Sequence, residues 1–253
     1  MGAQRPRRQH AGWTHPLSPR RALATPLLLL LLLAACVEPP TEPLGAPERV
    51  QVDDLELPAV AADSRERRAQ EVTVRVRSLG CTQFGLGSGF LLPGGVVVTN
   101  RHVIEQPREV TISTWDGRSL PVRVAGVATD SDLALLDLAQ EAELPVAELR
   151  TDPVDAGEQV LVAGYPGGGA VQLSPGEVLG FVDGTVLGEP SEVMRINVEV
   201  TQGSSGGPVL DSDGRVVGVI FAIEVDARVA LAVPVDILLQ RLDTEVLEAP
   251  DGC

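Results

Sequence analysis

Residues 201–210 read TQGSSGGPVL, and this stretch decides how the rest of the chain is interpreted. A serine hydroxyl becomes a useful nucleophile only on an exposed tight turn, beside a base and near backbone N–H groups that face the developing negative charge. Gly203 and Gly206 suit such a turn because glycine adopts positive φ without a steric penalty. The plainer alternative is a Gly- and Ser-rich surface loop between two strands, since such loops are common.

A histidine and an aspartate precede this stretch in a specific order. Residues 96–104 read VVVTNRHVI and place His102 directly after a β-branched run that predicts a strand. Residues 130–136 read DSDLALL and place Asp132 at the head of another apolar run. The order His, Asp, Ser is one of three known chain orders of a Ser-His-Asp triad. The later Gly/Ser turn is therefore interpreted as a nucleophile loop that presents Ser205.

These motifs resemble those of the trypsin-like serine proteases, in particular the protease domain of the bacterial HtrA/Deg type. The usual motifs there are T-N-x-H-V, D-[LI]-A-[LV] and G-N-S-G-G-P, where this chain has TNRHV, DLAL and GSSGGP. The similarity extends over about residues 84–240. Three further segments are most similar to the periplasmic acid-resistance serine proteases of actinobacteria, namely residues 163–169, 198–210 and 218–221.

The resemblance implies a role for each matching residue. Ser205 would be the nucleophile, His102 the general base that takes its proton, and Asp132 the carboxylate that orients the imidazole. The backbone N–H groups of Gly203 and Ser205 would form the oxyanion hole. A lone histidine is often only structural, but His102 is the single histidine outside residues 1–36 and its flanking residues match the motif.

Some alternatives stay open at the site. Asp130 and Asp137 compete with Asp132, which is preferred because it directly precedes Leu-Ala-Leu-Leu, as in the family. Ser204 is a departure, since the HtrA pattern has Asn there. No cofactor is implied, and one histidine without clustered cysteines does not make a metal site.

The composition indicates an all-β fold. Short β-branched runs bounded by Gly, Pro and Asp recur about every ten residues, and helical spacing is scarce. The resemblance implies two six-stranded antiparallel barrels of the chymotrypsin type. Residues 70–253 would form the protease domain, with barrel one at about 70–145, barrel two at about 155–233 and a closing helix at 234–242. Expected strands cover 72–77, 85–92, 95–99, 109–114, 120–127 and 133–138, then 159–163, 178–188, 193–200, 215–222 and 228–233.

The N-terminal residues 1–36 are typical of a bacterial export signal. They contain five Arg and no acidic residue, and Leu27–Leu33 is an apolar run too short to span a bilayer comfortably. The sequence Leu-Ala-Ala-Cys that ends at Cys36 is similar to a lipobox, in which the cysteine is diacylated. An ordinary signal with an incidental cysteine is the alternative, and Arg20-Arg21 also hints at twin-arginine export.

Residues 37–69 are rich in Pro, Glu and Ala, which predicts a disordered tether, with a solvated helical turn over 63–68.

Without the leader, 15 of the 20 Arg remain beside 35 acidic residues, so the net charge becomes −20. Such an acidic surface repels nucleic acid and anionic lipid headgroups. The expected location is the cell envelope or periplasm, with attachment to a membrane through the lipid.

The cysteine count favours a disulfide. If Cys36 is acylated, Cys81 and Cys253 remain as an even pair in an oxidising compartment. The actinobacterial protease that the chain resembles has a disulfide between the two ends of its protease domain, which implies a Cys81–Cys253 bond here. The alternative is a frayed C-terminal tail with free thiols.

Two functional hypotheses follow. The first is an exported, lipid-anchored serine endopeptidase that acts on peptides or proteins through an acyl-enzyme. The second is a non-catalytic barrel that binds peptides or assists envelope proteins. By the resemblance, the substrate pocket near 197–203, 219–223 and 228–232 is mostly apolar and predicts small or medium apolar residues before the cleaved bond, whereas Glu199 would favour basic ones. No PDZ domain is expected after residue 242.

Overall fold

The structure is a computed structural model that describes residues 63–184, 192–224 and 229–243. Within these ranges the chain forms two closed six-stranded antiparallel barrels, which confirms the all-β architecture expected from the sequence. Cys36 and Cys253 lie outside the described residues. Among the residues described, no helix has the length and apolar character needed to cross a membrane.

Barrel one contains the first six strands, in the spatial order β1-β2-β3-β6-β5-β4. Alternation along β1 buries Val74 and Val76 while Arg77 is exposed, as expected for a strand with one face on a core. The core is aliphatic, with Ile112 and Leu136 fully buried. The strands are β1 Thr73–Gly80, β2 Phe84–Leu92, β3 Val96–Asn100, β4 Pro107–Ser113, β5 Ser119–Ala128 and β6 Leu133–Leu138.

Barrel two has the spatial order β10-β11-β12-β9-β8-β7. Its core contains Met194, Ile196 and Val209, all fully buried. The strands are β7 Gln159–Gly164, β8 Gln172–Asp183, β9 Glu192–Asn197, β10 Pro208–Leu210, β11 Val216–Glu224 and β12 Val229–Pro234.

Three strands of barrel two differ from the sequence expectation. β8 spans Gln172–Asp183 rather than 178–188, and β9 ends at Asn197 rather than 200. The first half of β8 is mostly exposed or half-buried and lacks an apolar pattern, but its backbone pairs with β7 from Gly164↔Gln172 to Gln159↔Glu177. The sequence does not predict β10, because this strand spans only three residues, too few for a periodic pattern to be recognised.

The helix before barrel one is longer and more buried than the solvated turn that the sequence predicts. α1 spans Ser64–Val72, and the Asp63 carboxylate caps its first N–H groups. Ala69 is fully buried in a cluster that includes Leu161 of barrel two. Packing against barrel two therefore makes part of the range 37–69 helical, although its composition is that of a tether.

The two barrels pack together through one shared hydrophobic cluster. Phe90 and Val98 of barrel one belong to the same cluster as Val219 of barrel two. The closing helix α2, Val235–Asp243, adds Leu238 to this cluster and lies within one residue of its expected bounds. The shared cluster fixes the loops of barrel one relative to the loop that enters β10.

Candidate active site

His102 lies just beyond the end of β3, in a single turn of 3-10 helix, Arg101–Ile104. Val103 and Ile104 in the same turn are buried in the core of barrel one. Because these two apolar side chains anchor the turn, the backbone at His102 is held firmly while its side chain remains exposed to solvent.

Asp132 lies in the turn that connects β5 to β6 and contacts His102 twice. Its Oδ2 atom is 2.6 Å from His102 Nδ1, and its Oδ1 atom accepts the backbone N–H of His102 at 3.0 Å. The Asp132 carbonyl accepts the N–H of Arg101 at 2.9 Å and the side-chain amide of Asn100 at 3.1 Å. Asp132 has a φ of 50°, which is uncommon for a residue other than glycine and is held here by these four contacts.

This contact determines the tautomer of the imidazole. An ionised carboxylate can only accept hydrogen bonds, so Nδ1 of His102 must donate to Asp132. The other ring nitrogen, Nε2, then carries the lone pair of the neutral ring. That atom is the one able to take a proton from a hydroxyl group.

The two competing aspartates do not contact His102. Asp130 is exposed, and its Oδ2 atom accepts a hydrogen bond from Arg241 at 2.5 Å. Asp137 lies within β6, paired with Val96 and Arg123 of the neighbouring strands. Of the three candidates, the structure brings only Asp132 to the histidine.

The nucleophile loop has two positions that only glycine can occupy. Gly203 and Gly206 have φ values of 101° and 84°. A Cβ atom on Gly206 would lie 2.0 Å from the carbonyl oxygen of Ser88, and one on Gly203 would lie 2.5 Å from that of Tyr165. The loop therefore needs glycine for both its conformation and its close packing.

Two N–H groups of this loop, those of Gly203 and Ser205, are left without an acceptor in the described ranges. The carbonyl of Gln202 accepts the N–H of Gly167 at 2.8 Å, and the carbonyl of Ser204 accepts an N–H within the loop. Because a trans peptide directs its N–H opposite to its C=O, the N–H groups of Gly203 and Ser205 point away from those bonds. Neither group has a hydrogen-bond acceptor among the residues that the structure describes. An oxyanion hole requires such a pair of unpaired donors.

His102, Gly203 and Ser205 line one cavity of about 290 Å³. Phe84, at the start of β2, forms part of its wall and is 62% exposed. The other lining residues are Gln83, Gly85, Leu86, Val103, Glu105 and Gln202. The cavity thus joins a histidine from barrel one to a serine and two free donors from barrel two.

Ser204 lines a different cavity, of about 340 Å³, and is buried. Glu199 lines this second cavity as well, and neither residue lines the one that contains His102. The neighbouring residues Ser204 and Ser205 therefore line different cavities. The structure also separates Glu199, the alternative determinant of specificity, from the candidate nucleophile.

The sequence predicts only close strand packing for the Gly-rich stretch 85–89, and misses its contact with the nucleophile loop. The N–H of Ser88 donates to the carbonyl of Ser205 at 2.7 Å. A Cβ atom on Gly87 would lie 2.9 Å from the same carbonyl oxygen. No local pattern signals a contact between segments so far apart in the chain.

In the part of the chain that the structure describes, no three His, Cys, Asp or Glu residues lie close enough to hold a metal ion. The arrangement around Ser205 offers a hydroxyl, an imidazole and backbone donors. These groups are the ones required for acyl transfer.

Comparison with known proteins identifies the family. A family model described as a trypsin-like peptidase domain matches residues 87–219. The chain belongs to this family. The matched range includes His102, Asp132 and Ser205, so the resemblance seen in the sequence motifs is confirmed.

Two relatives and one crystal structure define the similarity further. Serine protease Rv3671c of Mycobacterium tuberculosis is 31% identical over 207 residues, which are 77% of this chain and 49% of the relative. A protein named "Probable periplasmic serine endoprotease DegP-like" from Chlamydia pneumoniae is 29% identical over 140 residues, 54% of this chain and 28% of the relative. The active form of the Rv3671c protease superposes with a TM-score of 0.66 and 28% identity, covering 77% of this chain and 89% of that structure.

The structural match confirms the chymotrypsin-like arrangement of the two barrels. The chain spans about half the length of Rv3671c and less of the DegP-like relative. The family of trypsin-like peptidases related to HtrA-type proteases is therefore established for the portion that matches.

The contact between Asp132 and His102 leads to a first prediction. Asp132→Asn should lower kcat by about 10⁴-fold while the fold is retained, because a carboxamide that donates to Nδ1 stabilises the wrong imidazole tautomer. Hydrolysis of a fluorogenic peptide, with circular dichroism as a check on folding, measures the effect.

Asp130→Asn is the matched control for this prediction. It alters an exposed ion pair with Arg241 and a 3.4 Å hydrogen bond from the Ser131 hydroxyl, and exposed ion pairs contribute about 0–1 kcal/mol. Its kcat should therefore equal that of the wild type. A larger loss of activity in Asp130→Asn than in Asp132→Asn would contradict the assignment.

Proposed function

We propose that this chain is a serine endopeptidase, which cleaves peptide bonds in peptides or proteins through an acyl-enzyme. The observation that carries the proposal is the cavity shared by Ser205, Gly203 and His102, with Asp132 bonded to the far side of the imidazole. Membership of the trypsin-like peptidase family supports the same reaction.

In the proposed mechanism, His102 Nε2 takes the proton of the Ser205 hydroxyl as Oγ attacks the substrate carbonyl carbon. The imidazolium then carries a positive charge beside the Asp132 carboxylate, which stabilises it across the 2.6 Å contact. His102 returns the proton to the leaving amine, and the acyl group stays on Ser205. Water, activated by the same histidine, hydrolyses the ester and restores the enzyme.

The backbone N–H groups of Gly203 and Ser205 stabilise the negative charge on the substrate oxygen during both steps. Their carbonyl partners across the peptide bond are already bonded elsewhere, so the donors need no rearrangement when the charge develops. Preorganised donors of this kind contribute several kcal/mol to transition-state stabilisation. The exposed Phe84 supplies an apolar wall for the bound peptide.

The alternative, a barrel that binds peptides without cutting them, has less support. A binding module needs the cavity but not the orientation of His102 by Asp132. The two-point contact between these residues requires an uncommon backbone conformation at Asp132, which is unfavourable by itself. The presence of this contact therefore favours catalysis over simple binding.

Substitution of the two neighbouring serines tests the proposal. Ser205→Ala should lower kcat for peptide hydrolysis by about 10⁴-fold or more, because nucleophile and base act as one unit. Ser204→Ala, the matched control, should have little effect since Ser204 lines the other cavity. Rates on a peptide library, with folding checked by circular dichroism, give both values.

The opposite result, loss of hydrolysis in Ser204→Ala but not in Ser205→Ala, would show that the nucleophile is wrongly assigned. Binding of peptides by the wild type with no cleavage of any library member would favour the non-catalytic alternative.

We also propose that the chain is exported and anchored by a lipid on Cys36. The support is the arginine-rich leader, the apolar run and the Leu-Ala-Ala-Cys sequence. The periplasmic name of the Chlamydia relative is consistent with export.

If Cys36 is acylated, the mature protein should partition into the detergent phase, and Cys36→Ser should move it to the aqueous phase. Each buried CH₂ of an acyl chain contributes about 0.8 kcal/mol to membrane binding. Cys253→Ser is the control and should stay in the detergent phase. Unchanged partitioning of Cys36→Ser in a Triton X-114 assay would exclude the lipid anchor.

A disulfide between Cys81 and Cys253 is the third part of the proposal. Cys81 lies between β1 and β2, and Cys253 follows α2 by ten residues. Closing so long a loop stabilises a fold by roughly 4–5 kcal/mol at most. In exported Cys36→Ser protein, thiol titration under denaturing, non-reducing conditions should find no thiols, whereas two would rule out the bond.

A further inference from the structure

The hydroxyl of Ser88 connects barrel one to the loop that carries the candidate nucleophile. We propose that Ser88 is a positioning residue, which holds the oxyanion hole in its active shape from the opposite barrel. The inference rests on the proposed function of Ser205 and assigns a role to a residue outside the triad motifs.

Ser88 is fully buried in β2 and forms hydrogen bonds with three other segments of the chain. Its Oγ atom donates to the carbonyl of Gly203 at 2.7 Å and accepts the N–H of Tyr165 at 2.8 Å. Its N–H donates to the carbonyl of Ser205 at 2.7 Å, and its carbonyl accepts the hydroxyl of Thr99 at 2.7 Å. Every polar group of Ser88 is therefore bonded, and two of the bonds end on the nucleophile loop.

These bonds fix the peptides on both sides of the hole. The carbonyl of Gly203 is held by the Ser88 hydroxyl and that of Ser205 by the Ser88 N–H, so neither carbonyl can turn toward the cavity. The N–H groups of the same two residues are the unpaired donors of the hole. One buried serine thus restrains the conformation of both donor residues.

The bond to Tyr165 extends this restraint to the first donor. Tyr165 begins the turn 165–168, and Gly167 in that turn donates to the carbonyl of Gln202. That carbonyl lies across the peptide bond from the N–H of Gly203, so its bond sets the direction of the donor. The phenol of Tyr165 is held by a hydrogen bond that it donates to the carbonyl of Thr73 at 3.2 Å. Burial raises the pKa of this phenol above its usual value, so it stays protonated and able to donate.

The Ser88 hydroxyl lies in a closely packed part of the interior. A Cβ atom on Gly164 would lie 3.2 Å from Ser88 Oγ and 3.1 Å from the Cα of Ser204. Removal of the hydroxyl would take away the hydrogen-bond partner that the carbonyl of Gly203 and the N–H of Tyr165 now share. Buried polar groups that lose a partner are unfavourable, so the loop would move to satisfy them.

The chain contains a matched control in Ser78. This serine lies in β1 of the same barrel and is almost fully buried, but its hydroxyl has no hydrogen-bond partner in the described part of the chain. Ser78→Ala and Ser88→Ala make the same chemical change at equal depth. Only the second change removes a contact with the nucleophile loop.

Steady-state kinetics on one peptide substrate tests the proposal. For Ser88→Ala, kcat should fall by about 10- to 100-fold with KM changed little, somewhat less than the loss of an oxyanion donor itself. Its affinity for a peptidyl boronic acid, which mimics the tetrahedral intermediate, should fall in parallel. Ser78→Ala should match the wild type in all three values.

A kcat of Ser88→Ala within twofold of the wild type would overturn the proposal, as would a rise in KM alone or an equal loss in Ser78→Ala. If Ser88→Ala does not fold, Ser88→Cys replaces it, because a thiol keeps a weaker donor and acceptor at the same position. Its kcat should fall below that of the wild type, and an unchanged kcat would contradict the role. A wild type that neither hydrolyses peptides nor reacts with a fluorophosphonate would refute the proposed function itself.

Discussion

The two-point contact between the Asp132 carboxylate and His102 is the constraint on which the candidate site depends. One oxygen holds the backbone of the histidine and the other holds its ring, so position and tautomer are set together. The contact requires the β5–β6 turn to lie against the end of β3, and the pairing Asn100↔Leu133 between β3 and β6 provides this. The barrel is thus the support that holds the imidazole in place with its Nδ1 atom on the carboxylate.

A second constraint acts across the two barrels. The histidine and the aspartate belong to barrel one, while the serine and the two proposed oxyanion donors belong to barrel two, so the proposed catalysis requires a fixed relation between the barrels. The shared apolar cluster packs the two barrels together, but hydrophobic contacts have no preferred direction. The hydrogen bonds from Ser88 to the nucleophile loop are directional, and they orient the loop next to the candidate nucleophile.

The sequence predicted the motifs and the core strands better than the connections between them. The expected bounds of β6 are the observed ones, because LALLDL is apolar at five of its six positions and lies between turns. The first half of β8 is not predicted, because pairing with the backbone of β7, and not an apolar pattern, makes it a strand. The burial of α1 is not predicted either, because it depends on contact with barrel two. The contacts of Ser88 could not be predicted, because hydrogen bonds between distant segments leave no periodic signal.

The crystal structure of this protein after reaction with a peptidyl phosphonate is the most direct test of the central claim. We expect phosphorus bonded to Ser205 Oγ, with the phosphoryl oxygen accepting hydrogen bonds from the N–H groups of Gly203 and Ser205 and with His102 still bonded to Asp132. A phosphonate attached to any other residue, or a phosphoryl oxygen without these two donors, would contradict the account.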